Sequence, residues 1–226
     1  MKAMILAAGR GERMRPLTDF MPKPLIKLAG KPLIVWHLER LAQAGFKQVV
    51  INHAYLGEQI EQALGNGSQW GMYIEYSPEK NALETAGGIA NALPLLGKQP
   101  FLVVNGDTFS QIDFASLKLT HNALPCLGHL VLVDNPPQHP NGDFAIEAGV
   151  LKNQGAQMLT FSGVGVYDPD LFASIVPGTP AKLAPLLRQA ITHKQMTAEH
   201  YQGMWHDIGT PERLASVEQH WQHQAL

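Results

Sequence analysis

The chain has 226 residues, of which 45% are hydrophobic, and its formal net charge is −2 with a pI near 6.5. This composition allows a sizeable buried core and excludes a disordered chain, and the lack of net positive charge argues against a nucleic-acid partner. The single cysteine, Cys126, excludes an intramolecular disulfide and a cysteine-based zinc site, and its apolar neighbours predict a buried thiol.

The N-terminal apolar run resembles the start of a signal peptide, but it is too short and charged residues follow it at once. No run of 18 or more apolar residues occurs, so the sequence predicts no membrane span. We therefore expect a cytoplasmic protein without a membrane partner. The sequence leaves the oligomeric state open, a monomer included.

Short apolar runs alternate with helical patterns through the first half of the chain. Strands are expected at residues 3–8, 49–52, 72–76 and 101–104, and helices at residues 32–44, 55–64 and 84–93. In the first of these helices the apolar residues repeat with a helical period, Pro32 stands in the first turn and Gly45 ends it. This alternation of apolar strands with helices predicts parallel strands covered by helices on both faces.

The second half has the spacing of antiparallel strands. These strands are expected at residues 130–133, 144–146, 150–152 and 161–167, and helices at residues 170–175, 183–193 and 211–222. No linker, repeat or low-complexity tract interrupts the chain. We therefore predict one α/β domain over residues 1–226, with a mixed, mostly parallel central sheet in α/β/α layers.

A glycine-rich loop follows the first predicted strand. Gly9 and Gly11 allow successive backbone N–H groups to converge on an anion, although an ordinary tight turn would carry the same glycines. A dinucleotide fingerprint needs a third glycine, which the loop lacks, and this argues against a nicotinamide oxidoreductase. A Walker-A loop needs a different glycine spacing followed by Lys-Ser or Lys-Thr, which is absent as well.

The same loop carries three cations, Arg13, Arg15 and Lys23, interleaved with prolines at 16, 22 and 24. Proline restricts the backbone, so the cations are held in place instead of moving freely in solvent. Arginine can bind two oxygens of a polyphosphate at once, and lysine serves as a point charge for one phosphoryl group. The loop therefore indicates binding of a polyphosphate.

The string LAAGRGERMRPLT, followed by PKPL, resembles the signature of the sugar-1-phosphate nucleotidyltransferases. These enzymes couple a sugar 1-phosphate to a nucleoside triphosphate, release pyrophosphate and need Mg²⁺. The resemblance implies a Rossmann-like, GT-A-like fold in which residues 1–107 bind the nucleotide and residues 108–226 bind the sugar phosphate. It also implies catalytic roles for Arg15, which would hold the β- and γ-phosphates, and for Lys23, which would neutralise the α-phosphate.

Two aspartates are candidates for the metal site. Asp107 follows a buried strand, at the end where ligands bind in open α/β sheets, although a turn residue in Asn-Gly-Asp would look the same. Asp207 lies in Trp-His-Asp-Ile-Gly-Thr, which resembles the family's second metal-binding element at every position. The resemblance therefore implies that Asp107 and Asp207 hold Mg²⁺ and act in catalysis.

The resemblance places the base and ribose between the loop backbone and the Glu-Thr-Ala-Gly-Gly segment at residues 84–88. Two glycines in the first turns of a helix indicate close approach of another group, although a loose helix start would also contain them. Lys80 could reach the nucleotide or remain solvated. The predicted nucleotide-binding residues are Ala7, Ala8, Gly9, Gly11, Glu12, Arg13, Lys23, Glu79, Lys80, Thr85 and Gly88.

The sugar-phosphate residues are taken from the matching part of the family pattern. Asp143 could instead be a turn residue after Asn-Gly, and Lys182 a surface lysine at a helix start. The predicted substrate-binding residues are Asn105, Asp143, Ser162, Gly163 and Lys182.

Within the family, the chain is most similar to the branch that transfers a uridylyl group from UTP to N-acetylmuramate α-1-phosphate in cell-wall recycling. Alternatives in the same class are mannose- or glucose-1-phosphate nucleotidyltransferases that use GTP, dTTP or UTP. A non-catalytic nucleotide-sensing subunit is the alternative from another class. Such a subunit should lack a metal carboxylate or a loop cation, and this chain has them all.

Overall fold

The computed structural model describes residues 1–119 and 126–224, and its strands and helices follow each other in an order that builds one large sheet. In chain order the strands are β1 (Ala3–Leu6), β2 (Lys27–Leu28), β3 (Lys31–Pro32), β4 (Gln48–His53), β5 (Tyr73–Pro78), β6 (Phe101–Asn105), β7 (Thr108–Ser110), β8 (Gly128–Val133), β9 (Phe144–Glu147), β10 (Val150–Lys152), β11 (Met158–Tyr167), β12 (Met196–His200) and β13 (Trp205–Asp207). The α-helices are α1 (Leu33–Gln43), α2 (Gly57–Leu64), α3 (Glu84–Leu96), α4 (Leu183–Thr192) and α5 (Pro211–Gln224).

The first half forms the parallel part of a nine-stranded sheet, whose order is β5-β4-β1-β6-β11-β8-β12-β10-β9. The strands β5, β4, β1 and β6 are mutually parallel, and Leu6 at the end of β1 lies in register with Asn52 and Asn105 on its two neighbours. The carboxyl ends of these strands therefore meet at one edge, as expected for strands joined by crossover helices.

The second half adds strands that run in both directions. The strand β11 is antiparallel to β6, β8 and β9, whereas β12 is parallel to β8. The strands β7, β12 and β13 were not predicted, because their sequences are short and partly polar and pairing with distant segments alone makes them strands. The mixed character of the sheet is confirmed.

Two helix predictions need correction. The helix expected at 55–64 begins at Gly57, because Leu56 adopts φ 53° and ψ 30°, a left-handed conformation that cannot continue a helix. The helix expected at 170–175 is only a 3₁₀ turn, Pro169–Phe172, which the Asp168 side chain caps by accepting a hydrogen bond from Asp170 N at 2.9 Å. The other four helices are found within a few residues of their predicted bounds.

Helices cover both faces of the sheet. Alternate residues of β1 point to opposite faces, so that Ala3 and Ile5 lie in one core and Met4 in the other. Apolar residues of α1 and α2 fill the first core, and apolar residues of α3 and α4 fill the second. The predicted α/β/α layering is confirmed. In the part of the chain that is described, no helix has the length and apolar character required to cross a membrane.

A fully buried histidine lies where α1 packs against β7. Burial lowers the pKa of His37 to about 4, against the smaller opposing effects of a hydrogen bond with the Thr108 backbone and of the Asp107 charge. The unfolded chain, with a pKa near 6.5, therefore binds a proton more readily than the folded chain does.

This difference predicts that His37 makes the fold less stable as the pH falls. We expect its contribution to the free energy of unfolding to be complete above pH 6.5 and to drop by about 3 kcal/mol as the pH falls through the window from 6.5 to 4. Urea unfolding across this range should give a shallower pH dependence for His37→Gln than for the unchanged chain. Parallel curves for the two proteins would contradict the prediction.

Candidate active site

A cleft of about 360 Å³ opens at the carboxyl ends of the parallel strands. Ligands bind at this edge in open α/β sheets, because the connections leave the strand ends on opposite faces and open a crevice there. The cleft is lined by residues 6–9, Lys23, Pro24, Asn52, Glu79, residues 82–85 and residues 105–107. Of the predicted site residues, it brings together Ala7, Ala8, Gly9, Lys23, Glu79, Thr85, Asn105 and Asp107.

The two ends of the cleft carry different chemical groups. The strand β1 lies between β4 and β6, so residues that follow β6 are held apart from residues that follow β4 and β5. Lys23 and Asp107 lie at the β6 end, whereas Asn52, Glu79 and the first turn of α3 lie at the β4–β5 end. The backbone of residues 7–9, after β1, forms the floor between them. One end is therefore suited to phosphates and the other to a neutral group with hydrogen-bonding edges.

The glycine-rich loop turns sharply at Gly11, whose φ of 68° and ψ of 35° are left-handed. The carbonyl of Gly11 accepts hydrogen bonds from the Thr18 hydroxyl and from Met14 N, each at 2.8 Å. Met14 is buried together with Phe109, Ile208 and other residues in a third apolar cluster. This packing ties the loop to the segments that follow Asp107 and Asp207.

Lys23 is the loop cation that reaches the cleft. Its ammonium donates a hydrogen bond of 2.7 Å to Oδ2 of Asp107, and only 9% of the Lys23 side chain is exposed, against 37% for Asp107. A buried lysine needs an anionic partner. Asp107 supplies that partner here, and a bound phosphate would bring further negative charge to the same ammonium.

Asp207 is brought beside Asp107 by a short antiparallel ribbon. Asp207 on β13 lies opposite Thr108 on β7, and Ile208 N donates to the Asp107 carbonyl at 2.9 Å. The two aspartates are 100 positions apart in the sequence, yet they become neighbours in space. Among the residues that the structure describes, no group of three or more His, Cys, Asp or Glu side chains is placed to hold a metal.

Two carboxylates nevertheless suit one metal in particular. Mg²⁺ is commonly held by one or two carboxylates while phosphate oxygens and waters complete its shell, whereas structural zinc requires four protein ligands. The donors at Asp107 and Asp207 are hard oxygens, and Asp107 is exposed toward the cleft. The donor set therefore fits Mg²⁺ delivered with a phosphorylated substrate.

Arg213 is a residue of this site that the sequence reasoning missed. It lies in the first turn of α5, and its Nη1 donates to Oδ2 of Asp207. A Cβ placed on Gly209 would lie 2.9 Å from Nη1 of Arg213 and 3.2 Å from Nη2 of Arg13, so the two guanidinium groups converge over this glycine. The sequence does contain a signal for this residue, because Arg213 directly follows the Asp-Ile-Gly-Thr-Pro-Glu segment that begins at Asp207.

Several predicted phosphate-binding residues lie outside the cleft wall. Arg15 is half exposed and pairs with Asp19, with 3.3 Å between Arg15 Nε and Asp19 Oδ1. Glu12 pairs with Arg10, with 3.6 Å between their charged atoms. Gly11 and Arg13 belong to the same loop, which borders the cleft at Gly9.

The β4–β5 end of the cleft is held by a buried hydrogen-bond network. Asn52 accepts from Ala7 N at 2.9 Å and donates to Oε1 of Glu79 at 2.7 Å, while Oε2 of Glu79 accepts from Leu83 N at 3.0 Å. This network links the floor of the cleft to the start of α3. Asn52, a cleft residue that the sequence analysis did not identify, lies at its centre.

Gly88 and Lys80 are not in the cleft wall. A Cβ on Gly88 would lie 2.6 Å from Oε1 of Glu79 and 2.8 Å from Nδ2 of Asn52. A Cβ on Gly87 would lie 2.4 Å from the Thr179 carbonyl. Both glycines therefore make room for other parts of the protein, and contact of this segment with a base stays a prediction.

The predicted sugar-phosphate residues do not form one cluster. Asn105 lines the cleft, and Gly163, with φ 81°, packs against its side chain. Ser162 is fully buried, and its hydroxyl donates to the Val131 carbonyl at 2.7 Å and accepts from Val164 N. These bonds hold Ser162 in the sheet, so its hydroxyl does not face the cleft.

Asp143 and Lys182 have positions that suit structural roles. Asp143 accepts from Phe161 N at 2.8 Å, and its other oxygen lies 3.0 Å from Nε2 of His139, which fits the turn-residue alternative. Lys182 is exposed at the start of α4. The preceding residue, Ala181, bonds with the first turn of α3, which is beside the cleft.

The crowding around Gly11 gives a prediction. A Cβ there would lie 3.0 Å from Lys23 Cβ and 3.0 Å from Thr18 Cγ2, and φ is positive. We expect Gly11→Ala to lower the free energy of unfolding by about 2 kcal/mol and to weaken nucleotide binding, because relief of the clash moves Lys23. Denaturant unfolding and calorimetric titration with a nucleoside triphosphate measure the two effects.

Gly30→Ala is the matched control, since φ there is 79° and nothing lies within 4 Å of an added Cβ. It should show only the cost of the left-handed backbone, about 1 kcal/mol, with unchanged nucleotide binding. If the two variants lose equal amounts of stability and of nucleotide affinity, then crowding beside Lys23 contributes to neither effect.

Comparison with known proteins agrees with this architecture. Residues 2–224 match the model of the family described as Nucleotidyl transferase. The N-acetylmuramate alpha-1-phosphate uridylyltransferase of Neisseria meningitidis serogroup B is 57% identical over 96% of this chain and 97% of its own length. The mannose-1-phosphate guanyltransferase of Schizosaccharomyces pombe is 32% identical over 93% of this chain, which spans 61% of that relative.

The fold is also similar to that of solved structures. A protein of Bacillus anthracis, described as a glucose-1-phosphate thymidylyltransferase, aligns with 97% of this chain at a TM-score of 0.82 and 19% identity. At this identity the likeness supports the Rossmann-like fold alone. The family match over nearly the whole length and the close relative together establish that the chain belongs to the nucleotidyl transferase family.

Proposed function

We propose that the chain transfers a uridylyl group from UTP to N-acetylmuramate α-1-phosphate, giving UDP-N-acetylmuramate and pyrophosphate. The observation that carries this proposal is the 57% identity, over 96% of the chain, to a relative with that named activity. The carboxyl-edge cleft supports it, because one end offers Lys23 and Asp107 and the other offers the hydrogen-bonding groups of Asn52, Glu79 and the first turn of α3.

The uridine would occupy the β4–β5 end of the cleft. The backbone of residues 7–9 and the first turn of α3 lie on two sides of this end, and the Asn52–Glu79 network keeps them at a fixed separation. Fixing both walls before substrate arrives reduces the ordering cost of binding. The triphosphate would then extend toward Lys23 and the loop cations Arg13 and Arg15.

Lys23 would neutralise charge on the α-phosphate. Its buried ammonium is already aimed at the β6 end by Asp107, so little rearrangement is needed when a phosphate binds. An oxygen of the sugar 1-phosphate attacks the α-phosphorus, the bond to the β-phosphate breaks and pyrophosphate leaves. No general base is required, because the attacking phosphate oxygen is already ionised.

Asp107 and Asp207 would hold Mg²⁺, the only cofactor proposed. When bound, the metal would supply positive charge to the phosphate oxygens of both substrates. The two carboxylates would position it at the β6 end of the cleft, next to Lys23. Asn105, also in the cleft wall, would donate to a hydroxyl of the sugar.

Residues 1–226 would form one functional domain, in which residues 1–107 bind the nucleotide and residues 108–226 bind the sugar phosphate. The shared sheet supports a single domain, because β11 of the second half lies directly beside β6 of the first. The reaction would serve cell-wall recycling in the cytoplasm, where UTP and sugar phosphates are found.

Pyrophosphate release across a panel of substrates tests the proposal. UTP, GTP, dTTP and ATP would each be combined with the 1-phosphates of N-acetylmuramate, mannose and glucose. We expect the highest kcat/KM for UTP with N-acetylmuramate α-1-phosphate. Preference for GTP with mannose 1-phosphate would favour a guanylyltransferase, the activity named for the yeast relative. Turnover with no pair would favour a nucleotide sensor.

A further inference from the structure

We propose that Arg213 is a positioning residue that occupies Asp207 until the nucleotide arrives, so that the chain takes up its divalent cation together with the triphosphate and not alone. This inference rests on the proposed function, because it assumes that Asp207 is a metal ligand. It assigns a role to Arg213, a charged partner of Asp207 that the proposed reaction does not use.

The first observation is the ion pair itself. Arg213 Nη1 donates to Oδ2 of Asp207, and both side chains are 26% exposed, so the pair is largely shielded from water. Shielded ion pairs are screened by salt much less than exposed ones. A divalent cation that uses Asp207 must displace this guanidinium or share the carboxylate with it.

The second observation is where Arg213 lies in its helix. Pro211 begins α5, and Arg213 N lies 3.4 Å from the Thr210 hydroxyl oxygen that accepts from it, which fixes the backbone of the first turn. The amino end of a helix carries partial positive charge, so a cation there is unfavourable for the helix. Helix stability therefore does not explain this arginine, whereas pairing with an anion does.

The third observation is the balance of charge. Lys23 pairs with Asp107 and Arg213 pairs with Asp207, and Gly209, which has no side chain, lets Arg13 approach Arg213. Among these five side chains three are cationic and two are anionic, so a metal ion arriving alone meets an excess of positive charge next to the two aspartates. A triphosphate adds several negative charges, which attract the arginines and leave the aspartates free for the metal.

Binding of Mn²⁺ to the nucleotide-free protein tests the inference without any turnover. The signal of free Mn²⁺ in electron paramagnetic resonance gives the dissociation constant directly. We expect Arg213→Gln to bind Mn²⁺ about 10-fold more tightly than the unchanged chain, because Asp207 is released, and Arg213→Lys to lie between them. In the same variants, calorimetry should show UTP binding weakened several-fold by Arg213→Gln.

Arg188→Gln is the control, since it removes one positive charge from a guanidinium that stacks on Phe144, away from the two aspartates. It should leave Mn²⁺ affinity unchanged. A residue that only supports the fold would give equal or weaker Mn²⁺ binding when replaced, so either result in folded Arg213→Gln would overturn the inference.

A second measurement covers the case in which Arg213→Gln does not fold. In the unchanged chain, UTP should lower the Mn²⁺ dissociation constant of the protein at least 10-fold once the Mn²⁺ that UTP binds in solution is subtracted, and equal Mn²⁺ affinity with and without UTP would overturn the inference. Failure of the proposed function is distinguishable, because it appears as absent turnover in the substrate panel. Turnover there with unchanged Mn²⁺ affinity in Arg213→Gln would reject this inference alone.

Discussion

Asp107→Asn should lower kcat about 1000-fold, the largest effect we expect of any single substitution in this chain. A factor of this size corresponds to about 4 kcal/mol of lost transition-state stabilisation. Asparagine keeps the shape of the side chain but removes the negative charge that would hold Mg²⁺ beside the phosphates. Pyrophosphate release at saturating substrates measures the loss.

The same substitution should also destabilise the fold. Lys23, with 9% of its side chain exposed, would lose its anionic partner while remaining buried. An ammonium left in this way costs about 1–3 kcal/mol, which urea unfolding would detect. Turnover must therefore be measured at a temperature at which the variant is folded.

Asp134→Asn is the matched control for Asp107→Asn. Asp134 lies on the surface and pairs with His200, with 2.9 Å between Asp134 Oδ1 and Nε2 of the histidine. Its replacement should leave both turnover and stability near their original values, because exposed ion pairs contribute little. Near-normal kcat in folded Asp107→Asn would remove this carboxylate from the proposed site.

Lys23→Met should lower kcat/KM for UTP by about 100- to 1000-fold. Methionine keeps most of the apolar stem that packs beside Gly11 and removes only the charge. The loss would reflect missing neutralisation of the α-phosphate, since removing one donor to a developing charge commonly costs this much. Steady-state kinetics with varied UTP measures it.

Stability should respond differently from the Asp107 case. After Lys23→Met, Asp107 keeps 37% exposure and can be hydrated, so the expected loss is below about 1 kcal/mol. Lys27→Met, at an exposed lysine in β2, is the control and should retain normal turnover. The scheme fails for Lys23 if its variant turns over UTP as fast as this control does.

Much of the parallel half of the fold followed from sequence pattern. Apolar runs of four to six residues that helical segments separate are typical of doubly covered strands, so β1, β4 and β6 were predicted in place, and the partly exposed edge strand β5 was predicted within two residues of its bounds. The carboxyl ends of such strands must share an edge. For this reason Asp107 and the loop after β1 could be assigned to one site before their contact was known.

Other features depend on contacts between segments far apart in the chain. The strand β12 is short and mostly polar, and its pairing with β8 and β10 makes it a strand. Ser162 occurs in a segment that resembles the family pattern, but the twist and register of β11 turn its hydroxyl to Val131. No local pattern indicates which way a side chain in such a strand points.

The sequence by itself determined the family resemblance, the candidate polyphosphate-binding loop and the two candidate metal carboxylates, because these depend on residue types at short spacing. Only the tertiary structure decided what surrounds them. The β7–β13 ribbon places Asp207 beside Asp107, Lys23 is buried against one of the two and Arg213 pairs with the other. Charges interact through space over a few ångströms, and spacing along the chain does not encode that distance.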